Sequence, residues 1–326
     1  MGPGKVKKSL HKRQYGLIGA VLALATVAVA TGPFTASAVA VPGRPDERGV
    51  KIATWNVDWL ATPGEAQAYH LPDDIPHRTQ HDWERLRHYA SKLHADIVVL
   101  EEVGSAADVW ALFNQGEWWL FMPRHTTGQN VAILVRRGVG LQPQQLGDVE
   151  ALGRNPEGTH PLRPGVVVQV GGMAGGFTVL GVHLKAGCPG SVRTRSNKAC
   201  AVLERQFRVL AQWALGQQAQ GQGWVMAGDF NRRLAWGDPL LAPLAAGPLK
   251  LTTAGMASPC RQGERFIDHI ILGGAMAGRL KPGSQRVMLY RDDPPGAAGG
   301  LSDHCPLSAK LLPAPAALAG LEATPP

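Results

Sequence analysis

No acidic residue occurs among the first 38 positions, whereas five basic ones do: Lys5, Lys7, Lys8, Lys12 and Arg13. Taking those five from the formal charge of +8 leaves +3 for the rest of the chain. The basic excess is therefore largely terminal and does not by itself demand a polyanionic partner. A membrane-spanning run is also lacking, because the apolar stretch from Tyr15 to Thr31 falls short of the roughly 20 residues a spanning helix needs. A basic start, an apolar middle and the small residues Ala36, Ser37 and Ala38 read as a secretory signal peptide over residues 1–38. Cleavage is expected after Ala38 or Ala40, leaving no anchor and a secreted or periplasmic protein. Cysteine is scarce, with four in 326 residues. None lies near the cleavage site, which argues against a lipid-anchored cysteine. No pair has CxxC spacing, which argues against a zinc site.

All four cysteines, Cys188, Cys200, Cys260 and Cys305, lie in the exported part, where an oxidising compartment favours disulfides. Of the three possible connectivities, Cys188 with Cys200 is favoured by the short Gly-, Pro- and Ser-containing stretch between them, leaving Cys260 with Cys305. No repeat of fixed period is visible. The segment "GGMAGG" from Gly171 has no helix after it and reads as a hairpin or loop, not a dinucleotide fingerprint. No mid-chain linker interrupts residues 48–312, which read as one domain, followed by a flexible Pro/Ala-rich tail over residues 313–326. Nothing calls for a stable protein partner, so a monomer is expected.

What is present is alternation. "VKIATW" from Val50, "DIVVL" from Asp96, "NVAILVRR" from Asn130 and "GVVVQV" from Gly165 are dense in β-branched residues and predict strands. So do "FTVLGVHL" from Phe177, "WVMAGDF" from Trp224, "FIDHIIL" from Phe266 and "HCPLSAKLL" from His304. Trp83, Leu86, Ala90 and Leu93 recur at helical spacing, as do Val202, Leu203, Phe207, Leu210 and Ala214. An α/β protein with at least eight strands follows.

Polar residues collect at the strand ends: Asn56, Glu101 and Glu102, His183, Asp229 and Asn231, Asp268 and His269, and Asp303 and His304. Singly each has an ordinary explanation as a turn, a cap, a solvated charge or a core histidine. At six strand ends together, a shared site held by a rigid sheet explains them at once. Asp229 and Asn231, two apart beyond an apolar run, are expected to face the same side by the period-two alternation of a strand.

In order, "TWNVDWL", "DIVVLEEV", "VHLKAG", "GDFN", "IDHI" and "LSDHCPL" resemble the endonuclease/exonuclease/phosphatase superfamily, which includes DNase I and the exonuclease III type nucleases. The likeness is strongest to its secreted bacterial members and spans Thr54 to Leu307. It implies a four-layer α/β/β/α sandwich, two mixed β-sheets flanked by helices, with the site at the sheets' upper edge. It also implies that His183 and Asn231 contact phosphate oxygens and that Asp229 orients or activates the nucleophile. Glu101 departs from the pattern, standing where the family more often has Gln, and is expected to change the local charge while leaving Glu102 in place.

The chemistry follows from the residue types. Attack of water on a phosphodiester builds charge on oxygen, which a hard divalent cation stabilises. Glu102 and Asp303, with Asn56 and Asp229 nearby, form an oxygen-rich set suited to Mg²⁺ or Mn²⁺, with Ca²⁺ also admissible. Asp268 is expected to fix the tautomer of His304. The expected activity is metal-dependent phosphoester hydrolysis, most readily as a nuclease on DNA or RNA. Alternatives are a sphingomyelinase-like phospholipid phosphodiesterase, an inositol-phosphate phosphatase, and a catalytically silent binding protein on the same fold. Two basic stretches are candidate rims for a nucleic-acid backbone. One comprises Arg193, Arg195 and Lys198; the other lies between Ala61 and His81, with His70, His77 and Arg78.

Overall fold

Strands rich in valine, isoleucine and leucine bury both faces when sheets stack, and the chain builds two such sheets. The computed structural model describes residues 49–314 apart from 69–72, 74, 125–126, 157, 159–160, 173–175, 191–197 and 294–300. All of these belong to one compact unit, Pro42–Pro326. The signal-peptide reading and the tail beyond residue 314 lie outside the described residues. No helix among those described is long and apolar enough to cross a membrane.

The first sheet contains β1 (Val50–Leu60), β2 (Ile97–Val103), β3 (Trp118–Phe121), β4 (Asn130–Arg136), β11 (Arg286–Val287) and β12 (Leu307–Leu311), in the order β11-β12-β1-β2-β4-β3. The second contains β5 (Gln142–Val149), β6 (Gly165–Gly171), β7 (Phe177–His183), β8 (Trp224–Asp229), β9 (Leu249–Leu251) and β10 (Asp268–Gly273), in the order β5-β6-β7-β8-β10-β9. Each sheet is mixed, with one parallel pair, β1 with β2 and β7 with β8, among antiparallel neighbours. The eight strands expected from sequence are all present. The other four, β3, β5, β9 and β11, lie at sheet edges: β9 and β11 are only three and two residues long, β5 alternates in exposure with few apolar residues, and β3 is apolar but only four residues long.

Four helices are described: α1 (Pro63–Ala68), α2 (Gln80–Lys92), α3 (Ala106–Leu112) and α4 (Lys198–Ala219). Thr79 and Asp82 form a capping box that starts α2. Its apolar stripe of Trp83, Leu86, Tyr89 and Ala90 packs with Ala53, Trp55, Val98 and Leu100 on the outer face of the first sheet. α4 applies Leu203, Phe207, Leu210 and Ala214 to Leu180, Val182 and Met226 of the second. Between the sheets, Ile52, Val99, Ile133, Val168, Val179, Val225 and Ile270 form the central core. The layers are helix, sheet, sheet, helix. Cys188 is bonded to Cys200 and Cys260 to Cys305, with Cα atoms 5.1 and 6.0 Å apart.

Candidate active site

The second sheet places its polar residues by regular pairing. His183 ends β7 directly beside Asp229 at the end of parallel β8, and Asp229 in turn faces Asp268 at the start of antiparallel β10. All three are buried. Beyond Asp229 the chain leaves the sheet: Asn231 has φ +52°, its N–H donates to Asp229 Oδ1 at 2.7 Å, and its side-chain amide donates to Asp229 Oδ2 at 3.1 Å and to Leu184 O at 3.1 Å. The two side chains do meet, but through a tight Asx turn rather than strand alternation.

The first sheet uses irregular backbone. Ile52 and Val99 belong to the inter-sheet core while Ala53 and Leu100 face the helices, so an unbroken alternation would put Asn56 and Glu101, not Glu102, on the inner side. The register breaks after Asn56 in β1 and after Leu100 in β2, and Glu102 takes φ +62°. This bulge brings its carboxylate round to Asn56, whose amide donates to Glu102 Oε1 at 3.0 Å and to Asp229 Oδ2 at 3.3 Å. Glu101 stays beneath, fully buried, accepting the Thr54 hydroxyl at 2.7 Å. Burial, then the nearby carboxylates Asp268 and Asp229, hold it well above the usual carboxylate range.

His304 precedes β12 and crosses to the second sheet. Its Nδ1 lies 2.8 Å from Asp268 Oδ1, and its Nε2 lies 4.0 Å from Asp229 Oδ2 and 3.7 Å from Asp303 Oδ1. Burial lowers its pKa, but Asp268, Asp229 and Asp303 together outweigh that and raise it to about 10. Asp229 is raised as well, to about 7, by burial and by Asp268. The Asp303 side chain is 72% exposed beside this group. His183 Nε2 lies 3.6 Å from Glu102 Oε1 and 3.8 Å from Asp229 Oδ2, and burial, then Arg163, keep the ring neutral.

Several contributors were not read from the sequence. Arg163 Nη2 sits 2.9 Å from His183 Nε2 and interacts with Glu102 and Asp229. A signal for it existed: if "GGMAGG" closes a hairpin, the residues just before β6 return to the edge where β7 ends. Ser302 donates to Asn56 O at 2.7 Å and accepts the His304 N–H at 3.0 Å, tying the two motifs together. Asp58, at φ +52°, is raised to about 6 by burial and by Asp303 and Glu102.

The substrate rims fare differently. Arg193, Arg195 and His70 lie outside the described residues. Lys198 opens α4 and is exposed. Arg78 is not a rim residue: its guanidinium turns inward and donates to Trp59 O at 2.8 Å, Val57 O at 2.7 Å, Asp58 O at 2.6 Å and Leu301 O at 2.7 Å.

A family model described as the Endonuclease/Exonuclease/phosphatase family matches residues 53–304, from the first strand to the histidine beside Asp268. The chain belongs to the endonuclease/exonuclease/phosphatase family. Members of this family hydrolyse phosphoester bonds, and the fold is the family's DNase I-like sandwich. Among solved structures, a truncated TDP2 from Caenorhabditis elegans superposes with a TM-score of 0.56 at 16% identity, covering 81% of this chain and 97% of that one. TDP2 from D. rerio complexed with a single-strand DNA product gives 0.51 at 17% identity, covering 80% and 98%. The 3′ phosphatase NExo from Neisseria bound to a product DNA hairpin gives 0.53 at 19% identity, covering 80% and 99%. Comparison with curated protein sequences finds no match.

Proposed function

We propose that this member of the family is a secreted, monomeric, metal-dependent nuclease that hydrolyses phosphodiester bonds of DNA or RNA. The observation that carries the phosphodiester reading is one cluster: Asp229 bonded to Asn56 and Asn231, flanked by His183, and facing a His304 that is held by Asp268. The donor set fits a hard divalent cation. Glu102 Oε1 and Asp229 Oδ2 share the Asn56 amide, and Asp229, Asp268 and His304 offer ligand atoms within 4.8 Å of one another. Because His304 Nδ1 is taken up by Asp268, Glu102 and Asp229, with Asp303 at the rim, are the natural holders. When bound, Mg²⁺ or Mn²⁺ would neutralise charge on the phosphoryl oxygens and leaving group.

The protein's own groups divide the remaining work. With a cation beside it Asp229 would be ionised, and its carboxylate, fixed by Asn56 and Asn231, is placed to orient the attacking water and accept its proton. His304, raised to about 10, is an imidazolium there, and its Nε2–H is a donor for a phosphoryl oxygen; this favours charge stabilisation over proton abstraction. Arg163 adds further donors, Asn231, whose amide donates to Asp229 and Leu184, holds the Asp229 carboxylate, and Asp268 holds the imidazole ring in place. The family neighbours recorded with DNA, TDP2 and NExo, support a nucleic-acid substrate.

The test is a substrate panel of DNA, RNA, sphingomyelin and inositol phosphates with Mg²⁺ or Mn²⁺, repeated in EDTA. Turnover of DNA or RNA that stops in EDTA is expected. Turnover of lipid alone would overturn the nuclease reading and leave the phosphoesterase one standing.

A further inference from the structure

Among the described residues Trp236 is the most exposed of the large hydrophobic side chains, at 55%. Exposure of a tryptophan at a loose loop tip would mean little, but this loop is fastened on both sides. Arg232 and Asp238 form a buried ion pair at 3.0 Å, and Arg232 also donates to the carbonyls of Cys188 and Gly190. Asp238 N donates to Ala235 O at 3.0 Å, closing a turn in which Gly237 supplies φ +88°. A left-handed residue is needed there, and glycine adopts it without strain. The braced turn thus holds the indole out in water at a cost of unburied apolar area, and tryptophan is a residue enriched at binding interfaces.

The surroundings indicate what is recognised. Trp236 stands between two hollows: one of about 490 Å³ also lined by Arg233, Glu264 and Arg265, and one of about 240 Å³ lined by Leu241 and Ala245. The larger hollow shares Glu264 with a third, of about 440 Å³, that reaches Arg261 and Asp303 beside His304. The hollow beside the indole and the one beside the candidate active site thus adjoin at Glu264, and Arg233 lies two residues beyond Asn231. Arg233, Arg265 and Arg261 line these two hollows with the acids Glu264, Asp238 and Asp303, of which Glu264 is paired with Arg233 at 2.5 Å and Asp238 with Arg232 at 3.0 Å. Cations for a phosphate backbone beside an aromatic face for a base are the elements of single-strand recognition, and a volume of this order accommodates a nucleotide.

We infer that Trp236 is a stacking platform for an unpaired base of the substrate strand, with the backbone running past Arg233, Arg265 and Arg261 to the reacting phosphate. The inference rests on the nuclease reading and deepens it: the substrate is single-stranded, or frayed near the reacting bond. A base in a duplex is stacked on its neighbours and does not offer its face to the indole.

The test compares wild type, Trp236→Ala and Trp236→Phe on three substrates of one length: a single-stranded DNA oligonucleotide, the same backbone carrying abasic residues, and a blunt duplex. For Trp236→Ala, KM on the base-bearing single strand should rise about 10-fold, with kcat changed less than about twofold, and KM on the abasic strand and the duplex should stay near wild type. Trp236→Phe should recover most of the loss, since a phenyl ring also stacks. An unchanged KM in Trp236→Ala, or an equal rise on base-bearing and abasic strands, would overturn the platform while leaving the nuclease reading intact. Concentration-dependent dimerisation that vanishes in Trp236→Ala, with oligonucleotide KM unaltered, would assign the indole to self-association and equally overturn it. Failure of wild type to cleave any oligonucleotide would sink the nuclease reading and the platform with it.

Discussion

The two sheets furnish the site by opposite means. In the second sheet, His183, Asp229 and Asp268 are neighbours because β7, β8 and β10 pair in register, so ladder hydrogen bonds alone fix their spacing. In the first, Asn56 and Glu102 come together only where pairing breaks, and Asp58, Trp59 and Glu102 all take left-handed backbone, at φ +52°, +52° and +62°. Each such non-glycine residue costs about 1 kcal/mol or more and persists only when its surroundings over-determine it. The contrast separates a rigid half, suited to holding groups that exchange protons, from a half whose shape depends on side chains bonded to its backbone.

The largest effect is expected at His304, which the first sheet carries and Asp268 of the rigid half holds, in the variant His304→Ala. Turnover should fall about 10²- to 10⁴-fold with the melting temperature nearly unchanged, since a positioned proton donor contributes that much to rate. Asp268→Asn should lower activity in the same direction, and the double variant should be barely worse than His304→Ala alone because the two act as one unit. Steady-state kinetics and thermal unfolding on the same preparations check this. Full activity in His304→Ala would remove the imidazolium from the mechanism; lost activity with a collapsed melting temperature would make the histidine a structural element.

The strained half is tested through Arg78. Its guanidinium joins three consecutive carbonyls of the irregular segment, Val57 to Trp59, to Leu301 O in the segment that carries His304. No single ammonium group reproduces that fork. Arg78→Lys should weaken activation by Mg²⁺ about 10- to 100-fold, as loss of groups supporting metal ligands does. Raising Mg²⁺ should restore much of the activity, and His183→Gln, on the regular sheet, should show no such rescue. Equal Mg²⁺ dependence in Arg78→Lys and wild type would erase the distinction between the two halves.

The same contrast explains what could be read from the chain. Valine- and isoleucine-rich runs marked the strands, and polar residues after them marked the edge where the site lies, because regular strands keep sequence order and spatial order in step. Asp229 and Asn231 could be paired from two-residue spacing, although the turn that joins them is local and left-handed. Bulges broke the correspondence: alternation favours Glu101 beside Asn56, and only the family resemblance selected Glu102. Arg78 reads as a rim residue in the sequence because a basic residue outside a strand carries no sign of which way it turns. Arg163 needed the topology, since it precedes a strand rather than ending one. Trp236 was one of nine tryptophans, and nothing in its neighbours distinguishes an exposed indole from a core one.

The effect of pH connects the halves through Asp229. Its pKa of about 7 in the fold, reached by burial and by Asp268, exceeds the ordinary carboxylate value of 3.8. Below about pH 4 it is protonated folded or unfolded. Between about pH 4 and pH 7 the folded state holds a proton that the unfolded state lacks, so the metal-free protein should lose stability as pH rises, and the loss should level off above about pH 7. A divalent cation held by Glu102 and Asp229 competes with that proton. Mg²⁺ affinity should therefore climb by up to about 10-fold per pH unit until about pH 7 and then flatten. Thermal unfolding with and without Mg²⁺, from about pH 5 to about pH 8, reads both trends at once: the melting temperature falls with pH in EDTA, and the gain from Mg²⁺ grows. In Asp229→Asn the pH dependence of the gain should largely disappear, because no proton leaves that position. A gain from Mg²⁺ that is flat across this range in wild type would separate Asp229 from the cation and leave Glu102 on the strained sheet as its principal holder.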